Sequence, residues 1–268
     1  MINDVALFMN RPKISVVTVC FNAVETIEST IKSVIQQTYD NIEYIIIDGA
    51  STDGTLDIIN NYNDRIACCL SEPDKGIYDA MNKGIKMATG EWINFMNSGD
   101  MFYKNSVLSE VALKLKDGDI IYGDTMLSFS VGSKLKKPYP LEEIVDRMVF
   151  GHQATFVRAD YHKEHLFNLF YRSSADYNFF REAYLTGALF MYYPITIVTY
   201  NAEDGFSIKN KLLSMREDAI IRGQEGSLRW KVKFYRFMVK TYLKDSLVKF
   251  LPGTIVKLIK QRALKKIG

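Results

Sequence analysis

The feature that most limits the fold is a change of hydrophobic period repeated through the first hundred residues. Ile14–Cys20 (ISVVTVC) and Ile42–Asp48 (IEYIIID) are short β-branched runs with apolar residues in unbroken succession. That pattern suits strands covered on both faces. Residues 66–70 and 92–96 read as a third and fourth strand. Between them the apolar residues fall at helical spacing: Ile27, Ile31, Val34 and Ile35 within 24–37, a shorter run over 55–62, and Ile77, Ala80, Met81, Ile85 and Ala88 within 77–89. Thr52 or Asp53 is placed to cap the second helix. Gly90 is placed to end the third in the left-handed conformation. Alternation on this scale predicts right-handed βαβ units and a parallel sheet, with ligands bound at the C-terminal strand ends.

The second half is less regular. Residues 119–122, 125–130 and 153–158 are expected strands, and 189–200 is one long strand or a strand pair. Residues 175–185 and 211–222 are expected helices, with a loop over 200–207. His162 and His165 fall in a polar helical stretch and read as surface. Among 268 residues, 47% are apolar, ample for one large core.

Charge is uneven. The net charge is +3, yet residues 228–268 carry twelve Lys/Arg against one acid, Asp245. A basic tail on a mildly acidic body points to an anionic surface as partner. The three cysteines, Cys20, Cys68 and Cys69, have no metal-binding or disulfide spacing, which fits a reducing cytosol. Residues 1–12 show no basic region followed by an apolar run, so no leader is expected. No uncharged stretch reaches the roughly 18–20 apolar residues of a spanning helix.

The loop after the first strand, FNAVET, has no GxGxxG, and no GxxxxGK[ST] occurs anywhere. A Rossmann dehydrogenase and a P-loop NTPase are thereby disfavoured. Polar loops stand at the strand ends instead: DGASTDGT after the second, SEPDKGIYDAMNKG after the third and NFMNSGD after the fourth.

These segments, with SVVTVCFNAVETIESTIKSVIQQTY before them and HQATF and SADYNF after, resemble the inverting glycosyltransferases of family 2. The resemblance is strong over residues 13–100 and extends weakly to about residue 200. It implies the GT-A fold, a Rossmann-like α/β architecture with a mainly parallel sheet flanked by helices, here with a basic helical C-terminal extension. The catalytic part would occupy residues 1–222, with a nucleotide-sugar half at 13–100 and an acceptor half at 101–208. The amphipathic tail would occupy 223–268.

The resemblance also implies roles. Phe21 stands where the family stacks an aromatic on the nucleobase, although a core Phe at a strand end would look the same. Asn22 lies in the same loop. Asp48 stands where a carboxylate accepts from the base, and Asp74 in the loop that contacts base and ribose. Lys75 is placed to approach a phosphate or to remain solvated. The family's acidic metal motif is Asn97-Ser98-Gly99-Asp100 here, so Asn97 replaces its first Asp and Asp100 is its one charged ligand. A divalent cation, Mn²⁺ or Mg²⁺, would neutralise the leaving diphosphate there. Asp176 matches the general base at the start of a helix, with Ser173 or Ser174 as cap. His152 is a candidate for binding acceptor or metal.

The implied activity is transfer of a sugar from a nucleotide-sugar donor, UDP in the family's usual case, to an acceptor hydroxyl with inversion. The acceptor would be a saccharide or lipid-linked saccharide of surface-polysaccharide assembly. The protein would be cytoplasmic, with its tail peripheral at the inner face of the membrane, and no motif points to nucleic acid. Two other readings use the same residues: a non-catalytic sugar-nucleotide or polysaccharide-binding module, favoured by the weakened NSGD motif, and a sugar nucleotidyltransferase, disfavoured by the missing Gly-rich loop.

Overall fold

A computed structural model describes residues 11–116, 118–203, 205, 209–248, 255 and 261. Strands β1 (Ile14–Cys20), β2 (Ile42–Asp48), β3 (Cys68–Ser71) and β4 (Trp92–Phe95) pair in parallel in the order β3-β2-β1-β4. Helices α1 (Ile27–Ile35), α2 (Thr55–Asn60) and α3 (Ile77–Met87) connect them. Alternate residues of each strand enter opposite layers. Val17, Val19, Ile45 and Ile47 pack with α3 on one side, while Val16, Tyr44 and Ile46 pack with α1 on the other. Double coverage explains why these strands read as unbroken apolar runs.

Beyond β4 the sheet becomes mixed. It continues through β8 (Thr155–Arg158), β6 (Ile120–Phe129), β9 (Phe190–Asn201) and β5 (Met101–Phe102), with β7 (Gly132–Lys136) paired to β6. β8 is antiparallel to both β4 and β6, whereas β9 is parallel to β6. Helices α4 (Val107–Ala112), α5 (Ala159–Glu164), α6 (Ala175–Leu185) and α7 (Lys211–Ile221) cover this half, and α8 (Leu228–Val248) follows. This is the α/β architecture of the GT-A fold.

Several local expectations change. The two strands expected at 119–122 and 125–130 are the single strand β6, bent by register shifts at Tyr122, Asp124 and Thr125 against β9. The bend interrupts the alternation and makes one strand read as two. Gly90 is not a left-handed cap: α3 ends at Met87 and Ala88 is already extended, at φ −59° and ψ 130°. Gly90 instead lies against β1, where an added Cβ would sit 2.6 Å from Ser15 Oγ and 2.7 Å from the Lys13 carbonyl oxygen. His162 is not on the surface. It is 1% exposed, stacked on Phe179 and edge-on to Phe95 and Phe167, and burial lowers its pKa to about 4. Its stretch looks polar in sequence because the three rings that enclose it come from other elements. Residues 204 and 206–208 of the loop after β9, and all but residues 255 and 261 of the helical segment expected beyond Pro252-Gly253, lie outside the described residues.

At the N-terminal edge of the parallel strands, Glu43 accepts from Ser15 Oγ at 2.5 Å, the Thr89 amide at 2.7 Å, Thr89 Oγ1 at 2.5 Å and Lys13 Nζ at 3.0 Å. Burial alone would raise its pKa, but these donors outweigh burial and bring it down to about 2.

Candidate functional site

Parallel register brings the ends of three strands level: Cys20 pairs with Asp48, and Asp48 with Ser71. Their loops, and the loop after β4, therefore open at one edge of the sheet. Asp48 is fully buried there. It accepts from the Ser51 amide at 2.9 Å, Ser51 Oγ at 2.5 Å, Ser71 Oγ at 2.7 Å and the Cys20 thiol at 3.5 Å. Burial pushes its pKa up, yet the hydroxyl and amide donors win and lower it. Asn22, left-handed at φ 46°, donates its amide to Ser51 Oγ and accepts from the Thr52 amide at its side-chain oxygen. The N-cap of α2 is Gly54, at φ 97°, rather than Thr52 or Asp53; Asp53, one residue earlier, accepts from the Thr55 amide at 3.0 Å and the Val24 amide at 3.1 Å. Asp48, Asn22 and Asp53 thus lace the first two loops into one unit.

Phe21 faces outward. It is 63% exposed, which rules out the core reading. Its ring and the Asp74 carboxylate flank Gly49: a Cβ there would lie 2.6 Å from Asp74 Oδ2 and 3.2 Å from Phe21 Cδ2. Three loops therefore converge on one glycine. Asp74 also accepts from the Gly76 amide at 2.7 Å, while Lys75 is exposed and donates its amide to Asp79.

The loop after β4 is pinned to α1. Thr30 Oγ1 accepts from the Gly99 amide and donates to the Asp100 carbonyl, at 2.9 and 2.8 Å. Gly99 has φ +96°, a left-handed backbone that strains an Asp and accounts for Gly at this motif position. The Asp100 side chain lacks the donors that surround Glu43. Burial raises its pKa to about 7, opposed by the charge of His152 and a hydrogen bond from Gln153.

Four side chains from four segments form a continuous line. Asn97 Nδ2 lies 3.1 Å from His152 Nε2, His152 Nδ1 lies 2.9 Å from Asp176 Oδ2, and the Tyr78 hydroxyl donates to Asp176 Oδ1 at 2.8 Å. Asp176 Oδ1 also accepts from the Tyr177 amide. Burial would raise the pKa of Asp176, but His152, Tyr78 and that amide lower it, so the carboxylate is ionised at neutral pH. The Tyr78 pKa moves well up, through burial and the neighbouring Asp176, which keeps it a donor.

Ser173 and Ser174 do not cap α6 with their side chains. The amides of Arg172, Ser173 and Ser174 all donate to Glu217 of α7, at 2.9, 2.8 and 2.9 Å. Tyr78 and Glu217 were not among the sequence candidates. Tyr78 lies inside the DKGIYDAMNKG segment, four residues after Asp74, whereas a lone Glu in a mixed helix gives no signal.

Among the described residues no group of three His, Cys, Asp or Glu is arranged to hold a metal. The loop after β4 nevertheless suits a cation completed by phosphate oxygens. Asn97 Oδ1 is buried without a hydrogen-bond partner, and Asp100, three residues on in the same loop, is a buried carboxylate. One carboxylate and one amide oxygen are hard donors of the kind Mn²⁺ and Mg²⁺ take.

The family described as glycosyl transferase family 2 matches residues 15–193. A PGL/p-HBAD biosynthesis glycosyltransferase of Mycobacterium bovis is 30% identical over 207 residues, 74% of this chain and 80% of that protein. The Escherichia coli UDP-Glc:alpha-D-GlcNAc-diphosphoundecaprenol beta-1,3-glucosyltransferase WfaP is 38% identical over 99 residues, 37% of this chain and 39% of that one. Among solved structures, S. aureus TarS 1-349 with UDP-GlcNAc superposes with TM-score 0.63 at 19% identity, covering 78% of this chain and 66% of that chain. The mannosyltransferase PcManGT of Pyrobaculum calidifontis, in complex with GDP-Man and Mn²⁺, gives TM-score 0.63 at 14% identity, covering 97% and 82%. The chain belongs to glycosyltransferase family 2.

Proposed function

From this family membership and the line joining Asn97, His152, Asp176 and Tyr78, we propose that the protein transfers a sugar from a nucleotide donor to an acceptor hydroxyl in one inverting displacement. The donor is a UDP-sugar. Phe21 stacks on the base and Asp74 meets the ribose side, with Gly49 leaving room between them. Asn22 and Asp48 serve the nucleotide through the loop they brace, since the Asp48 carboxylate and the backbone amide and side-chain oxygen of Asn22 are engaged within it. Lys75, exposed beside Asp74, approaches the diphosphate.

The acceptor's proton goes to Asp176. Its Oδ1 already takes two hydrogen bonds, whereas Oδ2 takes one and retains a lone pair. As that proton moves to Oδ2, the acceptor oxygen bonds to the anomeric carbon. The bond from that carbon to the phosphate oxygen breaks, and its electron pair leaves with the nucleoside diphosphate. His152 and Tyr78 hold the carboxylate in place through both oxygens, which fixes the angle of approach. Asp100 and Asn97 would hold a divalent cation, which when bound supplies charge neutralisation for the departing diphosphate.

The acceptor is a saccharide, free or lipid-linked, in cell-surface polysaccharide assembly, as the printed functions of the relatives suggest. Catalysis belongs to residues 1–222, and the tail of 223–268 brings the protein to the inner membrane face from the cytoplasm. The observation that carries this reading is the ionised, doubly anchored Asp176 at the open edge of the sheet.

The test pairs a thermal-shift panel of nucleotide sugars with Mn²⁺ against turnover in Asp176→Asn. A donor that stabilises both proteins equally, with turnover down about 10³-fold in the variant, supports the assignment. Donor binding with equal, metal-independent turnover in both would sink it. A binding-only module would show no turnover in either.

A further inference from the structure

Helix α8 carries two apolar stripes. The inner one, Trp230, Phe234, Phe237 and Met238, is half-buried, and Trp230 stacks on Phe234 with ring centroids 5.0 Å apart. The outer one is Leu228, Val232, Tyr235, Val239 and Tyr242, each at least 50% exposed. Its spacing alternates four and three residues, so it runs along one side of the helix. Arg229, Lys233, Arg236 and Lys240 follow the same spacing along one margin of that stripe, and Lys231 stands at the other; all five are exposed.

The geometry points to this outer stripe as a docking face for an anionic lipid bilayer, with α8 lying in the headgroup layer. Apolar side chains would enter the acyl boundary while the basic margin lies along lipid phosphates. Charge selects this occupant over a second copy of the chain. A four-three repeat could form a helical seam, but the charged positions flanking it would then be Arg229, Lys231 and Arg236 on both partners, beside the apolar Met238 and Leu243. Residues 228–243 contain no acid to oppose them. A soluble polyanion would answer the charge and leave the apolar stripe in water. Among the described residues no helix is long and apolar enough to cross a membrane, so α8 lies on the bilayer rather than through it. The inference gives the proposed membrane contact a specific face and rests on that reading, not on the transfer chemistry.

The experiment sediments the full chain with vesicles of phosphatidylcholine, alone or mixed with phosphatidylglycerol. Two variants are compared: the triple Val232→Ser, Tyr235→Ser, Val239→Ser, and the quadruple Arg229→Gln, Lys233→Gln, Arg236→Gln, Lys240→Gln. Thermal unfolding reports the fold of each, and turnover of the donor with Mn²⁺ reports the transferase reading separately. We expect binding to the anionic vesicles only, weakening as salt rises. Each variant should bind at least tenfold more weakly with an unchanged unfolding midpoint; each lost basic residue accounts for roughly fivefold. The inference fails if wild type binds neither vesicle or both alike, or if both variants bind as wild type does. It also fails if the stripe instead mediates a concentration-dependent dimer that the triple variant breaks.

Discussion

Glu43 and Asp100 are buried carboxylates at opposite edges of the same strands, 8% and 6% exposed. Glu43 is surrounded by donors and its pKa falls to about 2; Asp100 lacks that shell and its pKa rises to about 7. Burial pushes both upward, and harder at the more deeply desolvated Asp100, while the donors around Glu43 reverse the sign there. The closed edge spends its polar groups on one another. The open edge leaves Asn97 Oδ1 buried without a partner, and gives the Asp100 carboxylate Gln153 in place of the donor shell around Glu43. Unmet hydrogen-bonding and charge capacity is what distinguishes a site from a brace.

The largest test of this contrast is Glu43→Ala. It should cost about 3 kcal/mol of folding stability at pH 7, read by denaturant unfolding, while turnover of the protein that remains folded stays normal. Because the folded-state pKa lies below the unfolded one, this contribution is present above about pH 4.5 and is lost as pH falls towards 2. A variant as stable as wild type at pH 7 would dissolve the contrast.

Glu217→Gln comes next. The side chain loses its charge and one of the oxygens that accept the three amides ahead of α6, which should cost about 2 kcal/mol. Turnover should fall roughly tenfold, through a lower kcat with little change in donor KM, since the proposed base rather than the proposed nucleotide pocket is displaced. Steady-state kinetics on the folded variant separates the two.

Asp100→Asn should do the reverse of Glu43→Ala. Turnover should drop while stability holds or rises. The wild-type pKa is raised, so ionised Asp100 weakens the fold as pH climbs from about 4 to 7, and the gap between variant and wild type should widen over that range. Unfolding midpoints measured across that pH range, without metal, test the sign. The smallest effect expected is Phe21→Ala. Loss of an exposed ring should leave stability within about 0.5 kcal/mol, yet weaken nucleotide binding roughly tenfold by calorimetry, as lost base stacking does.

What could be read from sequence follows the same division. β1, β2 and α6 have the expected bounds, because their patterns are local: unbroken β-branched runs and one helical repeat. The open edge was legible as a row of polar loops, and Asp176 as a first-turn acid. The long-range partners were not. Tyr78 meets Asp176 across 98 residues, and Glu217 reaches Ser174 across 43. His162 is enclosed by rings from β4, α6 and the loop between α5 and α6, so its burial has no local signature. Gly90 illustrates the opposite hazard: a glycine after a helix looks like a cap, while its lack of a side chain is needed by a strand 75 residues away.

The contact between Tyr78 and Asp176 also sets a rule for engineering. It ties the half proposed to bind the donor to the half that carries the proposed base, so the two are not interchangeable cassettes. A hybrid enzyme that takes residues 13–100 from one relative and the remainder from another keeps the side-chain hydrogen bond to Asp176 Oδ1 only if the incoming first half supplies a hydroxyl at position 78. Recombination libraries drawn across that boundary should therefore lose activity in proportion to the Phe they carry there, and recover it with Tyr.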